Sequence, residues 1–157
     1  MSQPLLIVVV AISTIASALL VVTAGAPFSA GLMVATVGSL VMLGWFRFLL
    51  SAVNKRERFL QTMTAIFSIN ALFVPMLIPL TPALLPFFQQ PPPPGPPPSL
   101  PLFAGAAIGF WAIFLEVRIV KAAFECPWVV AIMLLLSEIF VGNFVAALLF
   151  GGSAKPA

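Results

Sequence analysis

Apolar residues occur in long, nearly uninterrupted runs along this chain rather than in short stretches that alternate with polar ones. A helix that crosses the hydrocarbon core of a bilayer needs about 20 mostly apolar residues, because its backbone polar groups must be satisfied within the segment. Five runs meet this requirement, and they predict spans at residues 4–24, 31–53, 59–80, 102–122 and 127–150. The predicted fold is therefore all-α: one transmembrane domain, 1–157, built as an integral membrane bundle of five helices.

Glycine, proline and charged residues mark the ends of these spans. The first ends at GAPFSAG, the second ends at NKRER, and Pro127 suits the first turn of the fifth. Pro75 and Pro79 are expected to kink or end the third span. The proline-rich loop that follows, 81–101, contains FFQQPPPPGPPPSLP, which predicts an extended polyproline II spacer, or a recognition motif for aromatic-grooved modules.

The first span has a second interpretation, as a cleaved secretory signal, since TAGA offers small residues at a cleavage position. Two features favour a retained helix. No Lys or Arg precedes the apolar run, and the run is longer than the roughly 7–15 residues of a signal core.

The composition supports the membrane assignment. The chain is 62% hydrophobic and 7% charged, whereas soluble domains carry roughly 25% charged residues. The net charge of +3 is scattered over short loops, which does not resemble a nucleic-acid-binding surface.

Positive charges predict the orientation. Arg47, Lys55, Arg56 and Arg58 lie at the junction of the second and third spans, and Arg118 and Lys121 lie near the junction of the fourth and fifth. The positive-inside rule then places the N-terminus in the cytoplasm and the proline-rich loop and C-terminus outside. The expected location is a bacterial inner membrane. Cys126, the only thiol, should then react with an impermeant maleimide from the cytoplasmic face.

Residue types that serve enzymes are scarce. The chain has no His and no Asp, and its four acids are Glu57, Glu116, Glu125 and Glu138. No nucleotide-binding, nucleophile-elbow or zinc-protease motif occurs. These observations predict a non-enzymatic protein without a metal or a cofactor.

The candidate site is a polar cluster within the membrane, formed by Glu138, Arg118, Arg47 and Glu116. Glu138 lies near the middle of an apolar run, where an ionised carboxylate costs several kcal/mol unless it is paired or neutralised. One interpretation is a structural tie, in which Glu138 pairs with Arg47 or Arg118 or stays neutral. The other is a proton- or cation-responsive site.

Small and polar residues indicate where helices pack. Gly105 and Gly109 are spaced for close helix approach, within the chain or in a dimer, and Asn70 can bond across helices. The basic junction of Lys55, Arg56 and Arg58 is interpreted as an orientation signal, or as a contact to anionic headgroups.

Two segments, RFLQTMTAIFSINALFVPMLIPL at 58–80 and FWAIFLEVRIVKAAFECPWVVAIMLLL at 110–136, resemble the Yip1-like family of small five-helix membrane proteins, mainly over residues 58–150. The first has a polar-studded helix that ends near prolines, and the second has a late helix, a short cationic link and a long final apolar helix. The resemblance implies a non-enzymatic membrane protein that acts through partners.

The predicted function is that of an accessory or scaffold subunit that contacts the lipid bilayer and other membrane protein subunits, or associates with itself, without binding nucleic acid. The alternative is a transporter or channel subunit in which Glu138 responds to protons or cations. A membrane enzyme is the third possibility.

Overall fold

All regular secondary structure in the described part of the chain is helical. The computed structural model describes residues 3–88, 95 and 99–150. Its α-helices are α1 (Gln3–Thr23), α2 (Phe28–Ala52), α3 (Phe59–Leu77), α4 (Thr81–Phe88), α5 (Ser99–Phe124) and α6 (Trp128–Phe150). Five helical stretches are long and apolar enough to cross a membrane. The prediction of an all-α chain with five helices of this kind is confirmed.

Four of the five predicted spans agree closely with the helices. The first, second, fourth and fifth spans correspond to α1, α2, α5 and α6, and their ends differ by at most three residues. Hydropathy and terminal Gly and Pro residues were sufficient to locate these helices.

The third span is longer than predicted. Its helical path runs from Arg56 to Pro86 over 31 residues, through two short 3-10 segments (Arg56–Arg58 and Ile78–Leu80) and into α4. In the second 3-10 segment the Thr81 N–H donates to Ile78 instead of Leu77, and the Thr81 hydroxyl donates to the Leu77 carbonyl at 3.0 Å. The helical path therefore continues past Pro75 and Pro79 instead of ending there.

The predicted loop at 81–101 needs a corresponding correction, because residues 81–88 form α4 and α5 begins at Ser99. The predicted polyproline II segment falls mainly on residues 89–94 and 96–98, which lie outside the described residues. Gly95 between them has a φ of +115°.

The core lies where α3 meets its neighbours. Helix α1 packs against α2 and α3, α3 also packs against α5, and α6 packs against both α5 and α2. The main core cluster consists of Phe46, Met63, Ile66, Phe67, Val117, Val120, Ala131 and Leu135. Large apolar side chains also cover the outside of the bundle, for example Ile7 and Phe140 at 68% and 73% exposure. Lipid-facing helices require such a surface.

One glycine sets the closest helix approach. A Cβ built on Gly31 of α2 would lie 2.8 Å from the Ala18 carbonyl oxygen of α1. Only a residue without a side chain fits at this distance, so Gly31 allows α1 and α2 to pack backbone to backbone.

Candidate functional site

Two glutamates lie at similar depths on neighbouring antiparallel helices. Helices α5 and α6 are joined by the short turn 125–127, and Glu116 lies eight residues before the end of α5. Glu138 lies ten residues after the start of α6. At 1.5 Å per residue these positions are about 12 and 15 Å from the turn along the two helix axes, which is about half the roughly 30 Å thickness of a hydrocarbon core.

Glu116 and Glu138 line one groove between α5 and α6, which we call the acidic groove. Its volume is about 440 Å³, and its other walls are apolar side chains. These include Phe110, Ile113, Phe114, Ile132, Leu136 and Ile139. These side chains are exposed on the outer surface of the bundle, so the groove opens sideways, away from the other helices.

Glu116 and Glu138 are both half-buried, and they line the same groove. Asn70 of α3 lies beside the Glu116 carboxyl group. The carboxyl group of Glu138 lies over Gly142, one turn further along α6, where a Cβ would be 3.9 Å from Oε1. The surroundings of the acids are therefore apolar or neutral polar.

No Lys or Arg is among the described residues that line the acidic groove. At the end of the groove near the α5–α6 turn, Phe114 stacks on Trp128 with ring centroids 5.8 Å apart. Lys121 is held there, with Nζ 5.1 Å from the centroid of the Trp128 ring. Within residues 3–88, 95 and 99–150, neither Glu116 nor Glu138 forms an ion pair.

The predicted four-residue cluster is not assembled. Arg47 lies over the Phe59 ring at 5.7 Å and lines a cavity with α1 residues, and Arg118 lines a pocket at the α5–α6 turn. Neither arginine pairs with Glu138. One of the predicted structural ties was an ion pair between Glu138 and Arg47 or Arg118. Neither pair is formed among the described residues.

Helix rotation explains the separation. Residues two apart on a helix are separated by a rotation of about 200° about the helix axis, so their side chains lie on nearly opposite faces. Trp45, two residues before Arg47, faces α6 and donates from Nε1 to the Ser137 hydroxyl at 3.2 Å. Arg47 is therefore directed away from α6, just as Arg118 is directed away from Glu116.

Two of the three cations of the basic junction contact Glu125, an acid that the sequence analysis did not assign to a site. Glu125, in the α5–α6 turn, accepts hydrogen bonds from Lys55 at 2.7 Å and from Arg58. The two cations also donate to carbonyls at the end of α5: Lys55 to Phe124, and Arg58 to Ala122. They thereby satisfy carbonyls that a helix end leaves unpaired, and they join the two turns.

The backbone of Glu125 is left-handed, with φ of +54°, as is usual just after a helix end. Hydrogen bonds from Lys55 and Arg58 lower the pKa of the Glu125 carboxyl group below its ordinary value of 4.5. The only sequence signal for this contact was that Lys55 and Arg58 lie three residues apart at the junction of α2 and α3. Arg56, the third residue of the junction, instead donates to Ser51 at 2.6 Å.

The predicted packing residues have different surroundings. A Cβ on Gly105 would meet the Leu84 side chain of α4 at 3.3 Å, whereas one on Gly109 would meet nothing within 4 Å. The pair therefore does not form a close approach within the described chain. Asn70 lies beside Glu116 instead of only filling a helix interface.

No group of three or more His, Cys, Asp or Glu side chains that could hold a metal occurs among the described residues. Comparisons with protein-family models, curated proteins and solved structures found no match. The resemblance to the Yip1-like family thus stays a prediction.

Proposed function

We propose that this chain is a non-enzymatic accessory or scaffold subunit that binds another membrane protein through the acidic groove. The observation that supports this proposal is the pair Glu116 and Glu138 in a groove on the outside of the bundle, with no cation among the described residues that line it. The Yip1-like resemblance implies the same kind of role.

Electrostatics favours a basic partner. Ionisable side chains at mid-membrane depth are costly and pair with one another where they occur. Two carboxyl groups in one apolar groove would be stabilised in their ionised form by an approaching cation. A transmembrane helix of the partner that carries a Lys or Arg near its middle would supply this cation, while its apolar residues cover Ile113, Ile132 and Leu136.

The experiment is purification of the tagged chain in a mild detergent from its native membrane, followed by mass spectrometry. We expect a stoichiometric partner with a mid-membrane Lys or Arg. The variant Glu116→Gln/Glu138→Gln should lose this partner, because removing one side of a buried pair costs about 3–5 kcal/mol. Glu57→Gln, an exposed acid outside the acidic groove, is the matched control and should keep it.

The double variant should remain folded, because neither glutamate has an ion-pair partner within the described chain. A chain that purifies alone from its native membrane would contradict the accessory role. A partner that binds the wild type and the double variant equally would contradict the role of the acidic groove.

The second candidate function is a proton- or cation-responsive transporter or channel subunit. It is favoured by the position of Glu116 and Glu138 in one groove, since two acids that share a site can hold a proton or a cation between them. This candidate predicts proton or cation flux in proteoliposomes that Glu138→Gln abolishes while assembly stays intact. The absence of flux from a chain that has a stoichiometric partner would exclude it.

A further inference from the structure

A second cavity lies at the end of the bundle where α2 ends and α3 begins. It has a volume of about 700 Å³ and includes residues from α1, α2 and α3. Its polar side chains include Arg47, Arg56, Ser51 and Glu57, and Leu6 and Ile7 of α1 form part of its apolar wall. The acidic groove, between α5 and α6, shares no residue with it.

The two arginines of this cavity are not neutralised within the described residues. The ion pairs found there use Lys55 and Arg58, both with Glu125. Glu57 lines the same cavity but forms no ion pair with Arg47 or Arg56. Two guanidinium groups against one carboxylate leave the cavity with an excess of positive charge.

Both guanidinium groups are positioned to bind an anion. Arg56 is exposed, and its Nε donates to the Ser51 hydroxyl at 2.6 Å, which orients the guanidinium group. The terminal amino groups of Arg56 make no hydrogen bond within the described chain. Arg47 is also exposed, and it stacks over Phe59. Arginine binds phosphate oxygens through its planar fork of N–H donors.

The depth of the cavity matches a lipid headgroup. Arg47 lies five residues before the end of α2, about 8 Å along the axis, and its long side chain can extend toward the membrane surface. Ile7 beside it is 68% exposed on the outer surface of α1. The cavity therefore combines cations at headgroup level with an apolar wall along which an acyl chain can lie.

We propose that this cavity is a binding site for an anionic glycerophospholipid, whose phosphate is held by Arg47 and Arg56. Leu6 and Ile7 contact one of its acyl chains. The excess positive charge favours an anionic headgroup over a zwitterionic one. This proposal is independent of the acidic groove and of the partner proposed there.

The test is native mass spectrometry of the detergent-solubilised chain titrated with phosphatidylglycerol, and with phosphatidylcholine of the same acyl chains. We expect tighter binding of phosphatidylglycerol. Each arginine near an anionic lipid contributes about 5-fold, so Arg47→Gln/Arg56→Gln should weaken this binding roughly 30-fold. Arg118→Gln/Lys121→Gln removes the same charge from the α5–α6 side and should leave binding unchanged.

Any one of the following results would overturn the proposal. These are equal binding of the two lipids, equal weakening by the two double variants, or displacement of the lipid by inorganic phosphate at the same concentration, which would indicate a site for free phosphate. Because Arg47 packs on Phe59, the single variant Arg56→Gln is included, and it should weaken binding about 5-fold without affecting folding. An unchanged affinity for this variant would also overturn the proposal.

Discussion

The glutamates of this chain have contrasting surroundings. Glu125 is exposed and receives two cations, whereas Glu116 and Glu138 are half-buried and lack an ion pair within the described residues. An exposed ion pair contributes little to stability, and a carboxylate at mid-membrane depth is costly. The residues with the least favourable surroundings are thus the ones that most need a ligand or a partner.

Glu125 gives a prediction about pH. Its pKa is lowered in the folded chain, so its contribution to stability is present above its ordinary value of 4.5 and is lost as the pH falls through the lowered value. We expect Glu125→Gln to melt at a lower temperature than the wild type at about pH 7. The difference should shrink as the pH falls below 4.5.

The measurement is a series of thermal unfolding curves in detergent over this pH range. Glu57→Gln is the matched control, since Glu57 is exposed and forms no ion pair in the described chain. A difference between the wild type and Glu125→Gln that stays constant from about pH 7 to pH 3 would show that the ion pairs are not its source.

At the scale of the helices, the sequence predicted where the helices lie better than it predicted whether one of them continues past its prolines. Hydropathy located α1, α2, α5 and α6, because a membrane-length apolar run has few other structural solutions. The path through Pro75 and Pro79 into α4 was missed, because a proline removes one N–H donor but does not show whether the helix continues beyond it. In this chain it continues, through the 3-10 segment Ile78–Leu80.

The packing of α1 on α2 gives a prediction at the same scale. A Cβ at position 31 would lie 2.8 Å from a backbone oxygen that cannot move aside, so Gly31→Ala should destabilise the chain by about 1–3 kcal/mol. Thermal unfolding in detergent measures this effect.

Gly38→Ala is the control on the same helix, because a Cβ there would meet nothing within 4 Å. Alanine favours helix over glycine by roughly 0.5–1 kcal/mol, so this variant should be neutral or slightly stabilised. If Gly31→Ala is as stable as Gly38→Ala, the close approach of the two helices is not as described.

At the scale of the whole molecule, the sequence identified Glu138 and Glu116 but not their relation. Their depth follows from counting residues along each helix, whereas their pairing depends on the rotation of α5 and α6. The contact of Trp45 with Ser137 fixes how α2 faces α6, and it turns Arg47 away. These helices are uniformly apolar, so their sequences have no periodicity that indicates the rotation. The prediction that Arg47 and Arg118 cluster with the two glutamates was wrong for this reason.

The resulting molecule has three charged regions, one of which is the cavity lined by Arg47, Arg56 and Glu57. The turns at one end of the bundle carry Lys55 and Arg58, which are neutralised by Glu125. The acidic groove lies deeper and opens outward. An accessory subunit needs such an outward-facing recognition surface, and the acidic groove is the feature of the described chain that fits a partner helix best.

Photocrosslinking from inside the acidic groove tests this account most directly. A photoreactive side chain would replace Leu136, which lines the groove and is 55% exposed, or Leu40 on the outside of α2, which is 62% exposed. We predict that position 136 captures one membrane protein in the native membrane, that Glu116→Gln/Glu138→Gln abolishes its capture, and that position 40 does not capture it. Lipid adducts alone at both positions, or the same protein captured equally at both, would contradict the account.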